Sequence, residues 1–420
     1  MKLGRKLFTI IVLASALLIC GQAGADPAAM YGMGMDSQGK GNAMTGAPSG
    51  AMAAYYNPAF LSFAGRPELQ IGWMIANNNL KINGQNYDSF TTNSLEMSAS
   101  VTLKGKLDFL SLGIAAYMPV YPAAKVFTSA PYAPQFILYR NLVRFAAYPG
   151  ISFKVWEYLS LGIGLNILAA TYGNANFTLD LGQQIVTQRD FSMDVRLALA
   201  PTGGIAFKYK DLVSAGVSYR GEIDMGINTL TMNIDVGVTT MAAGLQGVAF
   251  YTPQELNFGV GYNPIKQVRL VLDLTWAMWS LAPDQSVRMN IQENQIIPAV
   301  YSPVISPGFS DILVPRIGIE YNPWSTLNIR AGYIYYPTPV PLPVGETNLI
   351  DTDRHIATIG LGYGMDDPTG LFNDIVIDAY FQYQFLMHRD VIKANPTDPV
   401  GDYGIGGNAM TGGIGAKFHL

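Results

Sequence analysis

Gln267-Val268-Arg269-Leu270-Val271-Leu272-Asp273-Leu274-Thr275-Trp276-Ala277-Met278-Trp279-Ser280 is the stretch on which the fold turns. Val268, Leu270, Leu272, Leu274, Trp276 and Met278 fall on one side of an extended chain, and Gln267, Arg269, Asp273 and Thr275 on the other. Strand side chains alternate between faces, so this reads as a strand with one apolar and one polar side. Its length, about ten residues or more, is what a tilted strand needs to cross a membrane. A soluble antiparallel sheet with one wet face alternates in the same way. One segment therefore decides nothing; the set must.

Glu255–Asn263 repeats the pattern, with Leu256, Phe258, Val260 and Tyr262 set against Glu255, Asn257, Gly259 and Gly261. In Asp374–Met387, Ile375, Ile377, Phe381, Tyr383 and Phe385 oppose Asp374, Asp378, Gln382 and Gln384. Ser214, Ser218, Arg220, Glu222 and Asp224 lie opposite Val213, Val217, Tyr219 and Ile223, which places those three charges in a lumen. Fourteen such segments begin near Glu68, Ser94, Leu107, Val143, Tyr158, Arg196, Leu212, Pro253, Gln267, Ile312, Thr326, His355, Ile375 and Asn408. Short turns follow the even segments, as at Lys210-Asp211 and Pro323-Trp324-Ser325. Long connections follow the odd ones, among them 120–142, 171–195, 226–252, 281–311 and 337–354; the turn at 365–374 is longer than its class. Short links on one side and long loops on the other are the mark of an outer-membrane barrel. The final segment alternates to the last residue, with Ile414, Ala416, Phe418 and Leu420 on one face. The expected fold is all-β: a transmembrane antiparallel β-barrel of about fourteen strands over residues 67–420.

Composition points the same way. Charged residues make up 13% of the 420 residues, against roughly 25% in a soluble domain. Apolar residues make up 49%. Past the N-terminus no run of about 18 uninterrupted apolar residues appears, which excludes helical spans and leaves the closed barrel. Residues 1–25 read as a signal peptide: Lys2, Arg5 and Lys6, then apolar Leu7–Cys20, then Ala23-Gly24-Ala25 as a cleavage site, with the mature chain starting at Asp26. Bulky Ile19 before Cys20 argues against a lipidation site. Removing residues 1–25, with three basic and no acidic residues, takes the lone cysteine and moves the net charge from −4 to −7. The exported chain then has no disulfide, no Cys metal site and no basic block for nucleic acid.

Residues 26–66 carry Met30, Met33, Met35, Met44 and Met52 among Gly and Ala and lack strand alternation. A barrel of this size has a bore that must be filled or conduct water, so this stretch is expected to be a plug, or hatch. Gly32-Met33-Gly34-Met35, Gly41-Asn42-Ala43-Met44 and Tyr56-Asn57-Pro58-Ala59 come first, followed by Asp180-Leu181-Gly182-Gln183. Further on stand Ser218-Tyr219-Arg220-Gly221-Glu222-Ile223, Trp276-Ala277-Met278-Trp279-Ser280, Thr338-Pro339-Val340-Pro341 and Asp351-Thr352-Asp353-Arg354. In order and spacing these resemble the FadL-type family of outer-membrane transporters for long-chain fatty acids and aromatic hydrocarbons. Gly221 departs from the family's pattern, which has Ser there. The resemblance implies a fourteen-stranded monomeric barrel plugged by the hatch. It also implies ligand capture at external loops, an internal binding site and sideways release through the wall into outer-membrane lipid, without ATP or cofactor.

The candidate residues follow. Asn57, Pro58 and Ala59 end the hatch, either as a simple turn or, as the resemblance implies, as the contact between hatch and wall near a lateral opening. Pro119 and Pro122 remove ladder donors where the third strand ends and are gate candidates. Arg220 and Arg354 are guanidinium candidates for a ligand carboxylate. Pairing with neighbouring lumen charges is the competing role. Trp279 ends its strand, and Leu245, Val248 and Phe250 belong to an unusually apolar external connection that fits an entry surface. Signals for an enzyme are faint. Gly34-Met35-Asp36-Ser37-Gln38-Gly39-Lys40-Gly41 lacks the Ser or Thr and the preceding strand of a phosphate loop. His355, His388 and His419 lack metal-ligand spacing. A polar porin, and after it an outer-membrane hydrolase, are the rival functions.

Overall fold

The computed structural model describes residues 27–420 apart from 49, 122–133, 137–144, 181–184, 236–239, 284–287, 292–299, 302–305, 346–347 and 369. The expected signal peptide and Pro122 lie outside the described residues. Of 170–196 and 225–250 the backbone alone is described, so the side chains of Leu245, Val248 and Phe250 also lie outside.

Fourteen wall strands pair antiparallel in sequence order: β1 Glu68–Ile82, β2 Gln85–Thr102, β3 Leu110–Tyr121, β4 Ala146–Trp156, β5 Leu159–Asp180, β6 Ile185–Tyr209 and β7 Val213–Arg220. The ring continues through β8 Glu255–Ile265, β9 Val268–Ala277, β10 Ile312–Trp324, β11 Leu327–Tyr336, β12 Arg354–Asp366, β13 Asp374–Val391 and β14 Tyr403–His419. β14 closes on β1, from Glu68↔His419 to Ile82↔Ile405. The opening stretch behaves as its alternation demands. In β9, Leu270, Leu272, Leu274 and Trp276 are exposed on the lipid side, while Val271, Asp273, Thr275 and Ala277 are buried inward.

Three features depart from the expectation. First, β1 and β2 are joined by a two-residue turn rather than a long link. Asn83 (φ 51°) and Gly84 (φ 75°) supply the paired positive φ of a type I′ hairpin. Second, 171–195 and 226–252 are not irregular loops. β5 and β6 stay paired out to Asp180↔Ile185, and Ile223–Asp235 forms a hairpin with Thr240–Thr252. The ladder continues there although the two-residue hydrophobic period fades along the sequence. Third, Glu222 and Asp224 do not face the lumen. β7 stops at Arg220, where Gly221 N–H donates to Pro201 O (2.8 Å), and the phase inverts: Ile223 is buried while Glu222 and Asp224 are exposed. A Cβ at Gly221 would lie 2.8 Å from Pro201 Cδ, a physical reason for the departure from Ser.

Residues 27–64 fill the bore as short helices, including Met35–Gln38, Ala53–Tyr56 and the 3₁₀ turn Pro58–Phe63. Their methionines, Met33, Met35, Met44 and Met52, are essentially inaccessible. Flexible thioethers fill an irregular space of this kind well.

Candidate functional site

The wall meets the hatch through glycines that face inward. A Cβ at Gly162 would sit 2.2 Å from Ala59 N, one at Gly204 2.0 Å from Asn57 Oδ1, and one at Gly259 2.3 Å from Gly46 N. Gly318, Gly332 and Gly113 approach Lys40, Gly41 and Leu61 with similar closeness. These glycines come in facing pairs: Gly162↔Gly204 across β5 and β6, Gly216↔Gly259 across β7 and β8, and Gly318↔Gly332 across β10 and β11. No other residue lets two backbones come this close.

Polar wall groups then satisfy the hatch backbone. Three carboxylates each take an N–H: Glu68 from Ala51 (2.9 Å), Glu96 from Gly34 (2.7 Å) and Asp273 from Thr45 (2.7 Å). Hydroxyls donate to its carbonyls, Ser152 and Ser160 to Ala59 O and Ser218 to Tyr56 O. Asn57 is fully buried. Its Nδ2 donates to Thr45 O (3.1 Å), Ile205 O (3.2 Å) and Val217 O (3.4 Å), and its Oδ1 accepts from Ala59 N (3.1 Å). Pro58 opens the 3₁₀ turn, where its missing N–H costs nothing. An ionic chain of alternating sign completes the seat: Asp378–Arg330, Arg330–Glu320 (2.6 Å), Glu320–Lys40 (3.5 Å), Lys40–Asp36 (3.9 Å) and Asp36–Lys417 (3.3 Å).

Above the hatch lies a cavity of about 50 Å³ bounded by Met30, Tyr55, Arg220, Arg316, Tyr336 and Ile356 among others. That is room for one or two waters, not for an alkyl chain. Arg220 is engaged: Nη2 donates to Tyr55 O (2.9 Å), Nη1 to Glu255 (3.3 Å), and the guanidinium lies 4.4 Å from the Tyr55 ring centre. It holds the hatch to the wall. Arg354 is buried, 4.1 Å from the Tyr336 ring centre and 2.8 Å from Met30 Sδ. Beside it, burial pushes the Asp351 carboxyl above its ordinary range, against the pull of Arg354 and Arg389.

Arg316 was not among the sequence candidates. Among the described residues it makes one hydrogen bond, to the Thr275 hydroxyl, and its Nε has no partner. Its cross-strand neighbour Asp273 turns to the hatch instead. The missed signal was an Arg at an inward position of Ile312–Trp324, a strand whose alternation is interrupted by Pro315. Trp279 is buried in a separate cluster with Tyr251 (5.8 Å between ring centres) and Phe309 (6.1 Å), which reaches the cavity through Ile334 and Ile356. Among the described residues the β3–β4 ladder runs to Tyr117↔Ala146, and Pro119 pairs with Ser94 of β2, where the register shifts between Asn93 and Ser94.

Known proteins carry the same architecture. Alkane uptake protein A of Marinobacter nauticus is 23% identical over 369 residues, 80% of this chain and 79% of the relative. A Pseudomonas aeruginosa FadL homologue superposes with a TM-score of 0.62 at 15% identity, covering 95% of this chain and all of that one. The Pseudomonas putida toluene transporter TodX does so at 0.58 and 15%, covering 92% and 98%. These likenesses show a shared fold. The sequence profile described as "Outer membrane protein transport protein (OMPP1/FadL/TodX)" matches residues 17–417, nearly the whole chain. A closed barrel with a bonded hatch, matched by that profile over almost its full length, belongs to the FadL/TodX family of outer-membrane transport proteins.

Proposed function

We propose that this chain carries hydrophobic small molecules passively across the outer membrane, long-chain fatty acids first among them, after residues 1–25 are cleaved as a signal peptide. External loops capture the ligand, the cavity above the hatch binds it, and it leaves sideways through the wall. A chain gains about 0.8 kcal/mol per CH₂ moved out of water, so a route through apolar surfaces suits it better than a wet pore. The hatch is bonded to the wall through Glu68, Glu96 and Asp273, which supports sideways release over passage along the bore. The register shift between β2 and β3 beside Pro119 supports an opening there. That opening is refuted if Pro119→Ala with Pro122→Ala leaves uptake unchanged.

The observation that carries the fatty-acid reading is Arg316, a guanidinium lining the cavity with no carboxylate partner among the described residues. A ligand carboxylate would supply one. The relatives favour a second reading, an alkane or aromatic hydrocarbon, since their names specify alkane uptake and toluene transport. Uptake of labelled oleate and hexadecane by cells expressing the chain separates the two. Arg316→Met is expected to cut oleate uptake about tenfold and leave hexadecane uptake unchanged; equal losses, or none, would remove the carboxylate from the proposal. A polar porin would instead give large steady conductance in planar bilayers.

A further inference from the structure

A second cavity, about 630 Å³, opens on the outer side of the wall and plays no part in the proposed route. Tyr335, His355 and Phe385 are register partners across β11, β12 and β13. They point outward: along β12, Ile359 and Leu361 on their face are 61% and 56% exposed, while Arg354 and Ile356 between them are buried. The row lies at the long-loop end of the lipid-facing band, since the loop containing Asp353 follows directly on one side and the turn beyond Tyr363 lies at the other end. By the barrel rule that long loops are external, this is the headgroup level of the outer leaflet.

The cavity is built rather than incidental. The β13–β14 register slips between Leu386 and Arg389, leaving Met387 and His388 without partners in β14. Such a bulge re-aims its side chains, and both are exposed. The bulge is pinned, with Met387 N–H donating to Asp353 O (2.8 Å) and Met387 O accepting from the Thr352 hydroxyl. Asp353 is oriented by Tyr335 Oη (2.8 Å) and Thr338 N (2.9 Å), and His388 by Asp390 (3.0 Å). Tyr335 and His355 lie side by side with ring centres 5.2 Å apart, tilted by 36°, forming an aromatic platform. Arg389 gives Nη1 to Val340 O and Asp351 O; the rest of its fork makes no hydrogen bond among the described residues.

This set is wrong for a hydrocarbon and right for a head that is at once anionic, rich in hydroxyls and flat. The Arg389 fork suits a phosphate, Asp353 on the cavity wall accepts from hydroxyls, and the tilted ring pair offers an apolar face with polar edges. Below the platform, Phe385, Phe381 and Ile359 continue as exposed apolar surface for acyl chains. We infer that this outer-wall cavity seats the phosphorylated-sugar headgroup of an outer-leaflet glycolipid. Such an annular lipid would sit against β11–β13 and brace the loop over 337–353 from outside.

Native mass spectrometry of the detergent-purified full chain tests this, with three probes: deep-rough lipopolysaccharide, phosphatidylglycerol and soluble glucosamine 6-phosphate. The wild type is expected to keep one lipopolysaccharide per barrel at a concentration at least tenfold below that needed for phosphatidylglycerol. The His355→Ala/Arg389→Gln variant should lose that preference. Tyr335→Phe, which removes one hydroxyl and preserves the ring, should weaken retention about threefold, and the gel shift on heating certifies folding of each. Equal retention by wild type and double variant overturns the assignment. So does equal affinity for phosphatidylglycerol, which would mark ordinary lipid contact, or for the soluble sugar phosphate, which would mark a free-anion site. Fatty-acid uptake by Tyr335→Phe, which leaves the Arg389 hold on Val340 O in place, reports separately on the transport reading.

Discussion

Below the inner cavity the wall reaches the hatch through bare backbone; above it, the external strap over 337–345 hangs from two long cations. At the floor, Gly162, Gly204 and Gly259 admit hatch atoms where no side chain fits, and carboxylates and hydroxyls take up the hatch N–H and C=O groups. At the roof, Pro337, Pro339, Pro341 and Pro343 deprive the strap of every second N–H, so it cannot join a ladder. Two of its carbonyls take backbone N–H groups, Pro339 O from Ser310 (3.0 Å) and Val344 O from Ala394 (2.9 Å), and others are held by long cations, Arg389 at Val340 O and Lys393 Nζ at Pro343 O (2.9 Å) and Gly345 O (2.6 Å). A contact made of backbone against backbone cannot give without moving a strand. One made of flexible side chains opens by rotating a few bonds. The floor is therefore the fixed part of the molecule, and the roof is where entry is expected.

The largest effect should come from filling the floor. Gly162→Leu together with Gly204→Leu places side chains where Ala59 and Asn57 now lie, a clash beyond the about 1–3 kcal/mol of ordinary overpacking. The barrel should still assemble and shift on heated gels, while the hatch leaves its seat. Planar-bilayer recordings should then show steady ion conductance absent from the wild type. A silent double variant would mean the hatch can relocate without opening the bore.

Next comes the ionic chain. Asp36→Asn removes the acid between Lys40 and Lys417 and leaves excess positive charge buried. Losing one member of such a set costs about 3–5 kcal/mol, read as a lower unfolding temperature of the purified protein. Smaller again, Lys393→Met releases the strap alone. Each hydrogen bond to a charged donor is worth about 1.5–3 kcal/mol. Amide exchange over the described part of 337–345 should therefore quicken about tenfold or more while the strand amides keep their protection. Equal loosening of strap and strands would erase the contrast between roof and floor.

The strands were legible because lipid on one side and a packed bore on the other impose a two-residue period, as in β9. The ladder over Thr171–Asp180 and its partner was not, since the two-residue hydrophobic period fades there. The Asn83-Gly84 turn was written plainly, and the parity argument overrode it. Arg220 and Arg354 stood out as guanidinium candidates, yet a sequence cannot show that Tyr55, Glu255, Tyr336 and Met30 already occupy them, or that Arg316 makes no ion pair among the described residues. Gly259 and Gly261 were assigned to the inner face, but their purpose depends on a hatch more than two hundred residues away in sequence, a distance that alternation does not carry.

The gentlest probe of the roof is pH. The Asp351 carboxyl, in the loop between β11 and β12, is held above its ordinary range chiefly by burial. Its folded form binds a proton more readily than its unfolded form. The native loop is thus favoured at low pH and loses stability as pH rises from the ordinary carboxylate range through the raised value. Exchange of the amides of 350–353 should quicken across that window, and Asp351→Asn should flatten the dependence. An Asn variant that keeps the full pH response would assign it to another group.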